Sequence, residues 1–300
     1  MSSSVSIIIP SYNQGQFLAE AIQSAIDQDY QQKEIIVVND GSTDNTKEVA
    51  AKFLHAIRYI EQENKGVSSA RNEAIKIASG SYIAFLDGDD LYLSHTLSTM
   101  ASFLDSHRDT AMVCGDAFLL KDNKMIGLKS TISRRPRNPD NFRWETVEFY
   151  PTPSTVMLHN SCFAKAGFFD ENLIVGAEDW LMWVQLSLHF NMCYIDKPFI
   201  YYRLHEDNAI LNKERIDTSN RYAVNLIVNA PYFNNYPAHF RAKLLFYRCA
   251  TAWRVEPKRV TLQYFLQALK TDPAQFPYGI QVLCRGASNI MQDRFSRLPR

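Results

Sequence analysis

The chain is predicted to be an α/β protein: a doubly wound, largely parallel sheet followed by a mainly helical C-terminal region. Three observations carry this. The runs VSIIIP (5–10), EIIVVND (34–40) and SYIAFLD (81–87) are rich in apolar residues without polar alternation, as strands buried on both faces are. The segments between them carry helical stripes. The polar ends PSYN, NDGSTD and DGDD follow the strands directly, and in such sheets ligands bind beyond the carboxyl ends of the strands.

Each element has its own reason. FLAEAIQSAIDQ (17–28) places Phe17, Leu18, Ala21, Ile22, Ala25 and Ile26 on one helical face. STDNTKEVAAKFL (42–54) reads as a helix capped by Ser42 or Asp44, IRYIEQ (57–62) as a strand and SSARNEAIKIA (68–78) as a helix. That rhythm is the α/β half. Beyond about residue 110 the regularity weakens. CGDAFLL (114–120) reads as a strand and residues 121–144 as a long basic loop over a site. EDWLMWVQLSLHF (178–190) reads as a helix, MCYIDKPFIYYRLH (192–205) as a strand with a Pro-interrupted edge, and Arg215 onward as mainly helical, with turns at APYFNNYP and KTDPAQFP.

Three hundred residues, 46% of them hydrophobic, suffice for a large buried core. Five scattered cysteines with no CxxC pair argue against a disulfide framework or zinc ribbon, so reduced, cytosolic thiols are expected. No secretory leader or membrane span is expected. The formal net charge is zero, but from Lys213 onward 14 Lys and Arg face five Asp and Glu, an excess of nine positive charges. That basic region reads either as a solvated face or as a surface for an anionic membrane or acidic acceptor. No nucleic-acid partner is expected.

FLDGDDLY (85–92) sets three carboxylates, Asp87, Asp89 and Asp90, at a strand end. Like charges so close must be hydrated, paired or neutralised. On these residues alone a polar turn and a divalent-cation site both remain open.

Taken together, IIIPSYN, EIIVVNDGSTDNT, NKGVSSARNEAI, YIAFLDGDD, GFFDENLIVGAEDWLMW and YYRLHEDN closely resemble the family 2 glycosyltransferases, over roughly residues 5–208. The resemblance implies a GT-A, Rossmann-like nucleotide-diphospho-sugar transferase fold: a catalytic domain at 1–210, divided into a nucleotide-sugar half (1–110) and an acceptor half (111–210), with a helical extension at 211–300. It implies an inverting transfer from a nucleoside-diphosphate sugar, a UDP-sugar foremost, to a saccharide or lipid-linked hydroxyl acceptor in surface polysaccharide or glycoconjugate synthesis. Mg2+ or Mn2+ is the implied cofactor, and the implied location is cytoplasmic, at the inner face of the membrane if the basic region makes peripheral contact.

By the same resemblance, Asp87, Asp89 and Asp90 form a DxD-like element, with Asp89 towards ribose and metal and Asp90 the direct metal ligand. Pro10, Ser11, Tyr12 and Asn13 form the base-packing loop, Tyr12 being a stacking face or an ordinary half-buried tyrosine. Asp40 accepts a hydrogen bond from the base, although Asn39 stands where the family often has a second Asp. Arg71 and Asn72 reach phosphate, a surface salt bridge being the alternative for Arg71, and Gly66 lets the backbone turn past the nucleotide. Glu178 and Asp179 match the Glu-Asp motif, with Asp179 the general base; without that motif they would read as a helix N-terminal acid pair. His205 lies near the metal or is structural, and Arg203 holds phosphate. A nucleotidyltransferase or a non-catalytic nucleotide- or carbohydrate-binding protein are the alternatives; no glycine-rich basic loop follows the first strand to favour the former.

Overall fold

The computed structural model describes residues 3–131, 135–174, 176–206, 208, 213–253 and 256–285. Strand alternation explains its two-sided core. In β1 (Val5–Ser11), Val5, Ile7 and Ile9 join one hydrophobic cluster and Ile8 another; in β2 (Lys33–Asp40), Ile35 and Val37 join the first, Ile36 and Val38 the second. Successive side chains leave opposite faces, so a run apolar at every position needs a cover on each side. α1 (Gly15–Ile26) covers the first face through Leu18, Ala21, Ile22 and Ala25, with α2 (Thr46–Ala51) beside it through Val49 and Ala50. α3 (Val67–Ile77) covers the second through Ala70, Ala74 and Ile75.

β1 pairs in parallel with β2 and β4 (Tyr82–Phe85), and β2 with β3 (Arg58–Gln62). β5 (Leu91–Tyr92), β6 (Thr110–Lys121), β7 (Lys124–Leu128), β8 (Val156–His159) and β9 (Asn191–Leu204) complete the sheet. Its order is β3-β2-β1-β4-β8-β6-β9-β5, with β7 paired to β6. The ends of β1, β2 and β4 therefore lie side by side, as the parallel register requires.

Four details differ from the sequence reading. The long basic loop contains β7, a hairpin partner of β6, and the unpredicted β8 joins the two halves of the sheet antiparallel. β9 is an interior strand between β6 and β5; Pro198 falls where the β6–β9 register shifts, so its missing N–H does not require an edge. α2 begins only at Thr46 and has no side-chain cap: Asp44 instead accepts from Thr46 N and Gly15 N.

α4 (Thr96–Ser106) packs on the first face and the short α5 (Phe163–Ala166) on the second. α6 (Glu178–Ser187) is held from two sides. Met182 and Trp183 enter the sheet-side cluster, while Trp180, Leu181 and Val184 enter a third cluster built with α7 (Lys213–Val228) and α8 (Ala238–Ala252). α9 (Lys258–Thr271) and α10 (Phe276–Arg285) pack on α8. The expected docking of FRAKLLFYRCATAWR on the rest of the chain is thus observed across 240–253; Arg254 lies outside the described residues, as does Asp207 of YYRLHEDN.

Candidate active site

The first strand ends form a knitted rim. Asn13 adopts φ 53°, a left-handed conformation Asn tolerates; its N–H donates to Ser42 Oγ at 2.9 Å and its Oδ1 accepts from Thr43 N at 2.8 Å. Pro10 and Ser11 are buried, and Ser11 Oγ has no hydrogen-bond partner. Tyr12 is 48% exposed on this rim, which leaves a ring face open. Gly88 closes over it: a Cβ there would lie 2.6 Å from Gln14 Oε1 and 3.2 Å from Ser11 Oγ.

Asp40 is buried, and its carboxylate accepts from Gln62 Nε2 (2.7 Å), Lys65 N (2.9 Å) and Gly66 N (2.8 Å). Its acceptor capacity is largely used inside the protein, so it braces the 62–66 segment rather than offering a free carboxylate to a base. Gly66 has φ 91°, and it permits a close approach to Ile174, which a Cβ at this position would meet at 3.0 Å.

Arg71 also departs from expectation. It is 2% exposed, and it donates through Nη1 to Glu178 Oε1 (2.9 Å) and through Nη2 to Asp87 Oδ1 (2.8 Å). Burial alone would lower its pKa; Asp87 and Glu178 outweigh burial and raise it. It is a buried bridge between the two acidic motifs, neither a phosphate ligand nor a surface ion pair. Asn72 is likewise internal, donating to Phe169 O and Glu171 Oε1 and accepting from Phe169 N.

The acidic triplet divides. Asp90, expected as the direct metal ligand, is buried; Oδ2 accepts from Ser154 Oγ (2.7 Å) and Oδ1 from Arg203 N (3.1 Å). Burial, then Asp89 and Asp87, push its pKa well up; the two hydrogen bonds, to Ser154 and to the backbone of Arg203, make it a brace of the turn. Arg203 is committed too, rather than held ready for phosphate. All three nitrogens of its guanidinium donate within the protein, to Asp89 O, Asn123 Oδ1 and Glu20 Oε2, and the group lies over the Phe17 ring. What it fixes is the backbone of Asp89.

Asp89 Oδ2 stands 2.9 Å from His205 Nε2, and the imidazole packs against Phe17 with ring centroids 4.8 Å apart. His205 Nδ1 is buried with no hydrogen-bond partner. A carboxylate and an imidazole side by side are donors that suit Mn2+ or Mg2+. Among the described residues no three His, Cys, Asp or Glu side chains converge as a ready-made metal site. Two protein donors fit an ion that takes its other ligands from a diphosphate and water.

Across the site, α6 is entered through Ala177, which stands at the N-cap with φ 66° and gives no side-chain cap. This strained entry aims Glu178 and Asp179 inward, at the positive end of the helix. Burial, then the Glu178 charge, push Asp179 up to about 7, against the pull of Trp180 N–H, Arg71 and Lys129. A carboxylate that titrates there can exchange a proton near neutrality. Tyr202 borders both groups: burial, then Asp90, Asp89, Asp87 and Asp179, raise its hydroxyl pKa. Ser154, Glu20 and Asn123 carry no motif, and nothing in the sequence singles them out; Tyr202 lies within YYRLHEDN, but its place beside the acidic groups comes only from tertiary contacts.

The chain matches the glycosyl transferase family 2 model over residues 6–166, more than half its length. It belongs to glycosyl transferase family 2. An uncharacterized glycosyltransferase of Rickettsia typhi is 32% identical over 216 residues, covering 70% of this chain and 67% of the relative. The minor teichoic acid biosynthesis protein GgaB of Bacillus subtilis is 30% identical over 68% of this chain, which spans only 23% of GgaB. Among solved structures, S. aureus TarS 1–349 in complex with UDP-GlcNAc aligns with TM-score 0.68 at 21% identity, over 97% of this chain and 89% of that one. The mannosyltransferase PcManGT of Pyrobaculum calidifontis, in complex with GDP-Man and Mn2+, aligns with TM-score 0.64 at 16% identity, over 99% and 87%. The family 2 fold is thus the GT-A fold with a helical C-terminal part, and the protein is a glycosyltransferase.

Proposed function

We propose that this family 2 enzyme is a metal-dependent, inverting transferase that moves a sugar from a UDP-sugar to a saccharide or lipid-linked hydroxyl in surface polysaccharide synthesis. The observation that carries the reading is the pairing of Asp89 with His205 on one side of the site and the elevated Asp179 on the other. Asp179 accepts the acceptor proton as its oxygen attacks the anomeric carbon in line, and the nucleoside diphosphate departs. Attack at one centre inverts its configuration. Asp89 and His205 would hold the divalent ion, which supplies neutralisation of charge on the departing diphosphate. Arg71 ties Asp87 to Glu178, so the donor-side turn and the helix of the base keep a fixed spacing. Tyr12 provides the stacking face for the base.

GgaB supports the polysaccharide reading, TarS the UDP-sugar and PcManGT a manganese ion, with its GDP-Man defining the alternative donor. A thermal-shift panel of nucleotide sugars with Mn2+ tests the donor, since a ligand of the native state raises its melting temperature. UDP-sugars are expected to give the largest shifts; a larger shift with GDP-mannose would replace the proposed base. Release of a nucleoside diphosphate on adding acceptor is expected, and release of pyrophosphate would contradict the reading.

Peripheral membrane contact is assigned to the C-terminal helices. No helix among the described residues is long and apolar enough to cross a membrane. α9 turns Leu262 and Leu266 outward between Arg259 and Lys270, and Trp253, Phe276 and Ile280 are also exposed. Basic and apolar groups on one face suit an anionic bilayer.

A further inference from the structure

The carboxylate of Asp179 is held by its own helix. It is only partly buried, and Trp180 N donates to its Oδ1 at 2.6 Å. Glu178 beside it is tied to another element, through Arg71 Nη1 on α3. Among the described residues no side chain of another element donates to Asp179. The direction of its carboxylate therefore follows the first turn of α6, and Ala177 sets that turn.

Ala177 stands at the N-cap with φ 66°, directly after Gly176 with φ 75°. The left-handed region is unfavourable for alanine and persists only where the surroundings over-determine it. Here they do. Ala177 is 5% exposed inside the third core cluster, its O accepts from Leu181 N at 2.9 Å, and the Trp180 indole donates through Nε1 to Thr146 O at 3.0 Å. A serine, threonine, aspartate or asparagine at an N-cap offers an oxygen to the N–H groups of the first turn. Alanine offers none, and the N–H of Trp180, at the third helical position, goes to Asp179 instead. A bond to the ionised carboxylate both orients it and favours its charged form. The other charged and titratable groups about Asp179 are Glu178 on its own helix, Arg71 on α3, Lys129 after β7 and Tyr202 on β9.

We propose that Ala177 is a positioning residue for the base: its left-handed turn, lacking a capping side chain, gives the Trp180 N–H to Asp179 Oδ1 and leaves Oδ2 to take the acceptor proton. The inference rests on the transferase reading with Asp179 as base. It is tested first by 13C NMR on the full chain labelled with [4-13C]aspartate, without metal, where the carboxyl signal lost in Asp179→Asn reports the titration of this group. Replacing the Trp180 backbone amide by an ester deletes an N–H that makes no intrahelical bond and keeps every side chain. The Asp179 midpoint is expected to rise by about 0.5 pH unit or more in the ester. Ala177→Val, whose branched side chain is excluded from the left-handed region, is expected to raise it likewise. With Mn2+ and a panel of UDP-sugars, the same variant should release UDP to water at least about tenfold more slowly, with UDP affinity kept. In that assay the water oxygen bonds the anomeric carbon as the bond to UDP breaks, and the water proton goes to Oδ2. Ala177→Gly, which adopts the conformation readily, should retain the wild-type midpoint and rate. A midpoint unmoved by the ester would overturn the proposal, as would a valine variant that behaves like wild type or a glycine variant that behaves like valine. Should the valine variant not fold, the ester decides alone. Absence of UDP release from the wild type would instead count against the transferase reading, and the carboxyl titration would still decide the role of Ala177.

Discussion

Arg71 illustrates how much of the site depends on single buried charges. Removing it leaves Glu178 without a partner in the interior and Asp87 without its cation. Arg71→Ala is expected to cost about 3–5 kcal/mol, read as a lower urea midpoint, because a broken buried pair leaves an uncompensated charge; a loss under about 1 kcal/mol would show that the bridge carries no weight. Asp179→Asn should keep donor affinity and lose turnover by about 10²-fold or more. In the wild type, kcat/KM should fall as pH drops below about 7, where Asp179 takes up its proton. The stability sign follows from the same shift. A carboxylate raised above its unfolded value favours folding fully only below roughly pH 4, and that contribution is lost as pH rises through about 7. The melting-temperature advantage of Asp179→Asn over wild type should therefore widen from pH 4 to pH 8; a constant gap would contradict the raised pKa. At this scale the sequence revealed which residues gather at the site but not what they touch. Arg71, Asn72 and Arg203 read as phosphate groups because their partners, Glu178, Phe169 and Glu20, are 107, 97 and 183 residues away. Spacing cannot reveal such pairs.

Among the elements, the parallel half was legible because its strands are apolar at every position and alternate with amphipathic helices. The antiparallel part was not. VMLH is short and carries no turn signal; KMIGL does follow one, Asp122-Asn123 at φ 50° and 59°, a two-residue hairpin turn, and the position of β9 inside the sheet depends on a register shift that only pairing reveals. Gly115 is the pivot of that shift. A Cβ there would lie 2.4 Å from Phe199 Cε2 and 2.7 Å from Lys197 O. Gly115→Ala is expected to destabilise by about 1–3 kcal/mol through overpacking, measured by urea denaturation; an unchanged midpoint would show that β9 yields without cost.

For the whole molecule, the third core cluster makes the C-terminal helices part of the catalytic geometry, since Trp180, Leu181 and Val184 bury the outer side of α6 against α7 and α8. The exposed face of α9 and α10 then orients the site relative to whatever those helices meet. Co-sedimentation with anionic vesicles should fall when Leu262 and Leu266 are both replaced by Gln, and neutral vesicles should bind less than anionic ones; binding indifferent to both changes would remove the membrane from the account. The central claim is that the acidic strand end engages the diphosphate through a dication at Asp89 and His205. Calorimetric titration of UDP with and without Mn2+ tests it most directly. Manganese should tighten UDP binding at least tenfold in the wild type and have no effect in Asp89→Asn or His205→Ala; UDP affinity indifferent to manganese in the wild type, or a manganese effect that survives both substitutions, would contradict it.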